Sequence, residues 1–176
     1  SGLTNLTRLG LNSNYRIVDI GALSGLTNLT DLDLSWSQIV DISPLFGLTN
    51  LTRLDLHNNR IVDITALSGL TNLTSLVLWR NQIVDISPLS SLTSLREIGL
   101  LHNQIVNISA LSSLTNLTSL SLHYNQISDI QALVDNAGLG AGDYVSIHHN
   151  NLDLTPGSDD MLDIQALEAR GVSVSY

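Results

Sequence analysis

From Leu29 to Ile130 the chain repeats one pattern every 22 residues. It runs LTDLDLSWSQIVDISPLFGLTN from Leu29, LTRLDLHNNRIVDITALSGLTN from Leu51 and LTSLVLWRNQIVDISPLSSLTS from Leu73, and the copies at Leu95 and Leu117 keep the frame. A unit this short cannot bury its own apolar face, so it must stack on its neighbours to make a continuous core. Columns that keep their polarity in every copy face that core. Columns that vary freely face water or a partner.

Each unit carries a pair of aliphatic residues two apart: Leu9/Leu11, Leu32/Leu34, Leu54/Leu56, Leu76/Leu78, Ile98/Leu100 and Leu120/Leu122. Spacing of two places both members on one face of a short strand, pointing inward. Strands that recur once per coil run parallel, about 4.8 Å apart. Three residues after each pair stands Asn14, Asn59, Asn81, Asn103 or Asn125, with Ser37 breaking the column. An amide side chain there can satisfy main-chain groups that turn inward as the strand ends. The Ile-Val-Asp-Ile block follows, its isoleucines returning to the core. Asp41, Asp63, Asp85 and Asp129 precede short Ser-Pro-Leu or Ala-Leu turns, where a carboxylate caps free N–H groups. Asn107 stands in the same column, and one carboxylate per coil makes a poor calcium cage. Val18, Val40, Val62, Val84 and Val106 are expected to form a partly exposed stripe along one flank, which could serve as an interaction surface but is better read as β-branched packing between neighbouring coils.

Two regions break the period. The first coil is longer, 23 residues from Leu11 to Leu34, and the extra residue falls in Asn14-Tyr15-Arg16-Ile17, where a local bulge is expected. Beyond Ile130 the repeat decays into a Gly-rich loop from Asp135 to Asp143, then a seventh strand from Tyr144 to Ile147. Those glycines do not match a phosphate-binding loop, and the chain has no Lys. Pro156-Gly157-Ser158 then introduces a helix with Ser158 as N-cap and Asp159/Asp160 at its positive end. Met161, Leu162, Ile164 and Leu167 are expected to bury, Gly171 to end the helix, and Val172–Val174 to add a last strand. Such a terminal element covers the final apolar layer of a stack.

With 7 Arg and 16 acidic residues the net charge is -9, which argues against nucleic acid and anionic membrane surfaces. No apolar run approaches the roughly 20 residues of a spanning helix, so membrane insertion is not expected. There is no Cys, hence no disulfide and no thiolate metal site. The chain opens in mid-repeat without Met, which reads as an excised or processed fragment.

The pattern LTNLTxLxLxxNxIVDIxPL, over about residues 3–133, resembles the bacterial internalin-like class of leucine-rich repeat with 22-residue units. The tail, GLGAGDYVSIHHNNL through IQALEARGVSVSY, resembles the closing region of many bacterial leucine-rich repeat proteins. The resemblance implies an α/β solenoid: a right-handed superhelix with a parallel concave β-sheet, short 3-10 or turn segments on the convex side, and a C-terminal helix–strand cap. Residues 1–133 would hold about six coils, uncapped at the N-terminus, and 134–176 the irregular last repeat and cap, all in one continuous domain. It further implies a protein-binding module of the secreted or surface-displayed kind.

If the Leu pairs point inward, the residues before, between and just after them line the concave sheet. All five histidines and both tryptophans fall there. The candidate ligand-binding residues are Trp36, His57, Val77, Trp79, Arg80, Leu101, His102, His123, Tyr124, His148 and His149. Trp79 and Leu101 would form an apolar centre, with Val77, His57, Arg80, His102 and Tyr124 around it. The competing reading is that flat side chains suit a crowded sheet and stabilise one another across strands. His102, His123 and His148, with His149 nearby, raise the further idea of a Zn²⁺ or Ni²⁺ site, and clustered imidazoles raise pH-dependent binding. Trp36, Trp79 and Asp33 could stack on and bond a sugar. His57 beside Asp55 has no nucleophile and no water-excluding cleft, so no enzyme is expected and no cofactor. The leading expectation is a non-enzymatic, monomeric module that captures a protein; the alternative is a structural spacer within a larger protein.

Overall fold

The computed structural model describes residues 2–176. Eight three-residue strands form one sheet: β1 (Arg8–Gly10), β2 (Asp31–Asp33), β3 (Arg53–Asp55), β4 (Ser75–Val77), β5 (Glu97–Gly99), β6 (Ser119–Ser121), β7 (Tyr144–Ser146) and β8 (Ser173–Ser175). They lie in chain order, all parallel. The register is set by the inward column, with Leu32 beside Leu54, Leu54 beside Leu76 and Leu76 beside Ile98. A slip of one residue would turn every inward Leu to solvent, which is why the pairing is unambiguous. The core is a single stack of buried Leu and Ile running from Ile20 to Leu167 and closed by Val172.

Opposite the sheet, each coil makes a 3-10 turn: Gly21–Leu23, Ser43–Leu45, Thr65–Leu67, Ser87–Leu89 and Ser109–Ser113. The acidic column caps these turns as expected. Asp41, Asp63 and Asp85 each accept from the amide two residues on, at 2.8 Å, and Asn107 does the same for Ser109. In the sixth coil the turn lengthens into a short helix, α1 (Gln131–Asp135), capped in the same way by Asp129. The valine stripe is partly exposed, as expected: Val18, Val40, Val62, Val84 and Val106 are each about half exposed, while Ile39, Ile42, Ile61 and Ile64 on either side of Val40 and Val62 are buried.

The Asn column binds coil to coil. Asn81 accepts from the Ile61 amide at 3.0 Å and donates to the Leu56 and Leu78 carbonyls at 3.0 and 2.9 Å. Asn59, Asn103 and Asn125 repeat this set, and so does Asn150, which sequence reasoning had not placed in the column. The insertion in the first coil explains the exception at Ser37. There the Ile17 amide closes a turn onto its own Asn14 carbonyl at 2.9 Å. The group that an Asn at position 37 would have satisfied is already satisfied, and the buried Ser37 hydroxyl has no partner among the described residues. Two irregularities of sequence are one irregularity of structure.

The end of the stack is closed by α2 (Asp159–Ala169), with Ser158 accepting from the Met161 amide as N-cap and Gly171 leaving the helix at φ +88. Ile164 and Leu167 bury and Met161 half-buries, but Leu162 is 52% exposed: it points away from the sheet end and is not part of the burying face. Arg170 anchors the cap. Its guanidinium donates to the carbonyls of Val134, Asn136 and Leu139 at 2.6–3.1 Å. Gly138 lies so close to Thr115 that an added Cβ would sit 1.9 Å from its carbonyl oxygen.

Candidate binding face

Two columns of the sheet face carry the large side chains. The first, just past each strand's second inward Leu or Ile, reads Ser35, His57, Trp79, Leu101, His123, His148. The next reads Ser13, Trp36, Asn58, Arg80, His102, Tyr124, His149, and every one of these has φ between 52 and 60. This is the left-handed region, where an ordinary side chain costs roughly 1–2 kcal/mol and Gly, Asn, Asp and, to a lesser degree, His sit most readily. The conformation persists because the ladder continues through it. The amides of Trp36, Asn58, Arg80, His102 and Tyr124 donate to the carbonyls of His57, Trp79, Leu101, His123 and His148 in the next coil.

The left-handed turn sends neighbouring side chains into two parallel stacks. In the first column His57 stacks on Trp79 at 3.9 Å between ring centres, and His123 on His148 at 4.4 Å. In the second, His102 stacks on Tyr124 and Tyr124 on His149, both at 4.2 Å. Trp36 meets His57 edge-on at 6.0 Å, and Arg80 lies 5.6 Å from the Trp79 ring centre. Trp79 has room because it lies over Gly99, 3.5 Å from where a Cβ would project. The eleven candidate residues therefore share one face, and all are at least partly exposed. They divide into a tryptophan group (Trp36, His57, Trp79, Arg80, with Val77 beside Gly99) and an imidazole–phenol group (His102, His123, Tyr124, His148, His149). Leu101 stands in the register position between them.

The polar contacts limit what this face can do. His57 Nδ1 lies 2.6 Å from Asp55 Oδ1, which orients the imidazole before it stacks on Trp79. Asp33 Oδ1 accepts from both the amide and the hydroxyl of Ser35. His123 Nδ1 contacts the Ser146 hydroxyl at 2.9 Å, and the Nδ1 atoms of His148 and His149 meet at 2.6 Å, so one proton serves both. His102, His123 and His148 do not converge their nitrogens on a common point, because His123 and His148 face each other through their ring planes. Among the described residues no group of His, Asp and Glu is arranged to hold a metal ion. Burial, then the neighbouring Arg80 and His149, holds the His102 pKa below the usual histidine value. Burial, then His148, His102 and His149, does the same to His123. These surroundings favour the neutral forms of His102 and His123, and both rings take part in the stacks.

Sequence reasoning named every one of these side chains but not their shared backbone conformation. The column gives little local signal for it, since Ser13, Trp36, Arg80 and Tyr124 have no preference for the left-handed turn and Gly is absent from it.

The family model for leucine-rich repeats in two copies matches this chain in overlapping frames over residues 4–47, 35–70, 49–91, 71–113 and 93–135. Among solved structures, the chain is similar to an internalin from Listeria monocytogenes, at 31% identity and a TM-score of 0.72 over 98% of this chain and 54% of the other. It is similar to internalin C2 of the same species at 36% identity and a TM-score of 0.71, over 86% of this chain and 64% of the other. A leucine-rich repeat protein of Leptospira interrogans shares the fold at 21% identity and a TM-score of 0.81, over 99% of this chain and 50% of that one. The chain thus spans between half and two thirds of the length of these structures. No curated protein matched the sequence. No helix of the described residues is long and apolar enough to cross a membrane.

Proposed function

The chain belongs to the leucine-rich repeat family, whose repeats are in general protein-interaction modules, and from that premise we propose that its concave face captures a protein ligand without catalysis. The contact residues in this reading are Trp36, His57, Val77, Trp79, Arg80, Leu101, His102, His123, Tyr124, His148 and His149. One observation carries it. Trp36, Arg80 and Tyr124 occupy left-handed positions that an Asn would fill with less strain. Side chains held against local backbone preference, on an open surface, are the kind retained for what they touch outside the molecule. Trp, Tyr and Arg also supply most of the energy at protein interfaces. A packing role alone accounts for the ring stacks but not for placing them where the backbone resists them.

Paired replacement of Trp79→Ala and Tyr124→Ala tests the proposal, since it removes the centre of each ring group. The variant is expected to keep its circular dichroism and lose the proteins that the intact chain retains from an extract. Retention of the same proteins by a folded variant would refute the reading.

A further inference from the structure

The convex side carries an apolar groove of ≈ 730 Å³ between the second and third coils. Its apolar lining is Val40, Phe46, Val62 and Ala66, and Asp41 and Asp63 stand beside them. Phe46 is the only Phe in the chain and is 65% exposed. In the other 3-10 turns its column holds serine (Val134 takes the place in α1), and the hydroxyls of Ser24, Ser68 and Ser112 donate to the carbonyls that open their own turns, at 2.8–3.0 Å. Phe46 gives up that bond and leaves its ring in water, although its backbone follows the same path, with the Phe46 amide on the Ser43 carbonyl at 3.2 Å. The ring thus forgoes a local stabilising contact and gains no place in the core. Together with the half-exposed Val40 and Val62 it forms an exposed apolar patch of the kind that marks an interaction site.

The charges say what fits there. No Arg is among the residues lining the groove. Asp41 and Asp63 are held ionised, the first chiefly by the Ser43 amide and the second chiefly by the Thr65 hydroxyl, which keep both carboxyls below their usual pKa. A second copy of this chain would bring its own Asp41 and Asp63 onto these, with a net charge of -9 on each molecule. An anionic lipid surface meets the same repulsion. A segment with a bulky apolar side chain between cationic ones meets none, and its cations can pair with carboxylate oxygens at the rim. We infer that the groove at Phe46 is a second docking surface, distinct from the concave face, for a protein segment with an aromatic or long aliphatic residue flanked by Arg or Lys.

The probe is a fluorescent peptide with Leu-Trp-Leu at its centre and two Arg on each side. Controls carry Glu in place of the Arg, or Ser in place of Leu-Trp-Leu. Each is titrated against the full chain by anisotropy at physiological salt, and the site is located by amide shifts. The Arg peptide is expected to bind and shift Val40, Val62 and Ala66, and both controls to bind about tenfold more weakly or less. Phe46→Ser restores the residue of the sister coils and should lower affinity by about tenfold or more. Asp41→Asn with Asp63→Asn should do likewise while the fold persists, because Asn107 already caps the equivalent turn. The inference is overturned if the Arg peptide does not bind, if the Glu control binds equally, if the shifts fall on the concave face, or if either variant binds as wild type. Sedimentation showing a dimer that Phe46→Ser dissolves would overturn it in favour of self-association.

Discussion

Replacing Arg80 with Gly separates a side chain kept for binding from one kept for packing. Arg80 sits at φ 54, its side chain is exposed, and its guanidinium lies 5.6 Å from the Trp79 ring centre. Removing the side chain relieves about 1–2 kcal/mol of left-handed strain. Against this, the cation–π contact is worth about 0.5–1 kcal/mol. The added freedom of Gly in the unfolded chain costs about another 0.5–1 kcal/mol. The backbone bond from residue 80 to the Leu101 carbonyl survives. These terms cancel, so Arg80→Gly should fall within about 1 kcal/mol of the parent in urea denaturation, with an unchanged m-value. Trp79→Ala should cost about 2 kcal/mol or more, because it removes a half-buried indole stacked on His57. If Arg80→Gly destabilises by more than about 2 kcal/mol, the column holds the sheet together and the strain argument for binding fails.

Three further outcomes follow from the coil contacts. Asn81→Ala orphans the Ile61 amide and takes one of two donors from the Leu56 and Leu78 carbonyls, which keep Asn59 and Asn103, and should cost about 2–4 kcal/mol; Asn14→Ala, whose bonds are exposed and local, should cost under about 1 kcal/mol in the same urea assay. Ser37→Ala should raise stability by up to about 1 kcal/mol, by removing a buried hydroxyl without a partner, and Ser37→Asn should give no gain because the Ile17 amide is engaged; a clear gain from the Asn variant would refute the link to the insertion. His102 and His123 have folded pKa values below the ordinary 6.5, so the unfolded chain binds protons first. Their contribution is full above about pH 6.5 and is lost as pH falls from there toward the folded values. Thermal melts should show stability declining on acidification through this window, and His102→Asn with His123→Gln should flatten the decline.

The periodic parts of the molecule could be read directly because each column is sampled several times. The inward Leu pairs, the Asn ladder and the capping Asp all occupy their expected places. Whatever depends on a single long-range contact could not be read that way. Arg170 looks like one more helical cation until its carbonyl partners in the last repeat are visible. Leu162 looks buried on a helical count but faces outward, because Ile164 and Leu167 on the other face of α2 take the buried places. The valines' partial exposure was legible from their place between the inward isoleucines. On the candidate face, alternation supplied the list of side chains. Their ring stacks follow from a left-handed turn that no local propensity of Trp, Arg or Tyr would suggest.

The same bonds join every coil to the next: the amides of Leu34, Leu56, Leu78 and Leu100 each donate at 2.8 Å to the equivalent carbonyl one coil on. Each inner 22-residue coil, such as 51–72 or 73–94, is therefore a removable tile. Excising residues 51–72 would join Asn50 to Leu73 in frame, close the ladder without a mismatch and shorten the face by about 4.8 Å. It would also set Trp36 beside Arg80 and Ser35 beside Trp79, where Asn58 and His57 now stand. Gene segments of one repeat length can thus redraw the ligand-facing pattern in steps of one strand spacing, while every seam between coils stays the same.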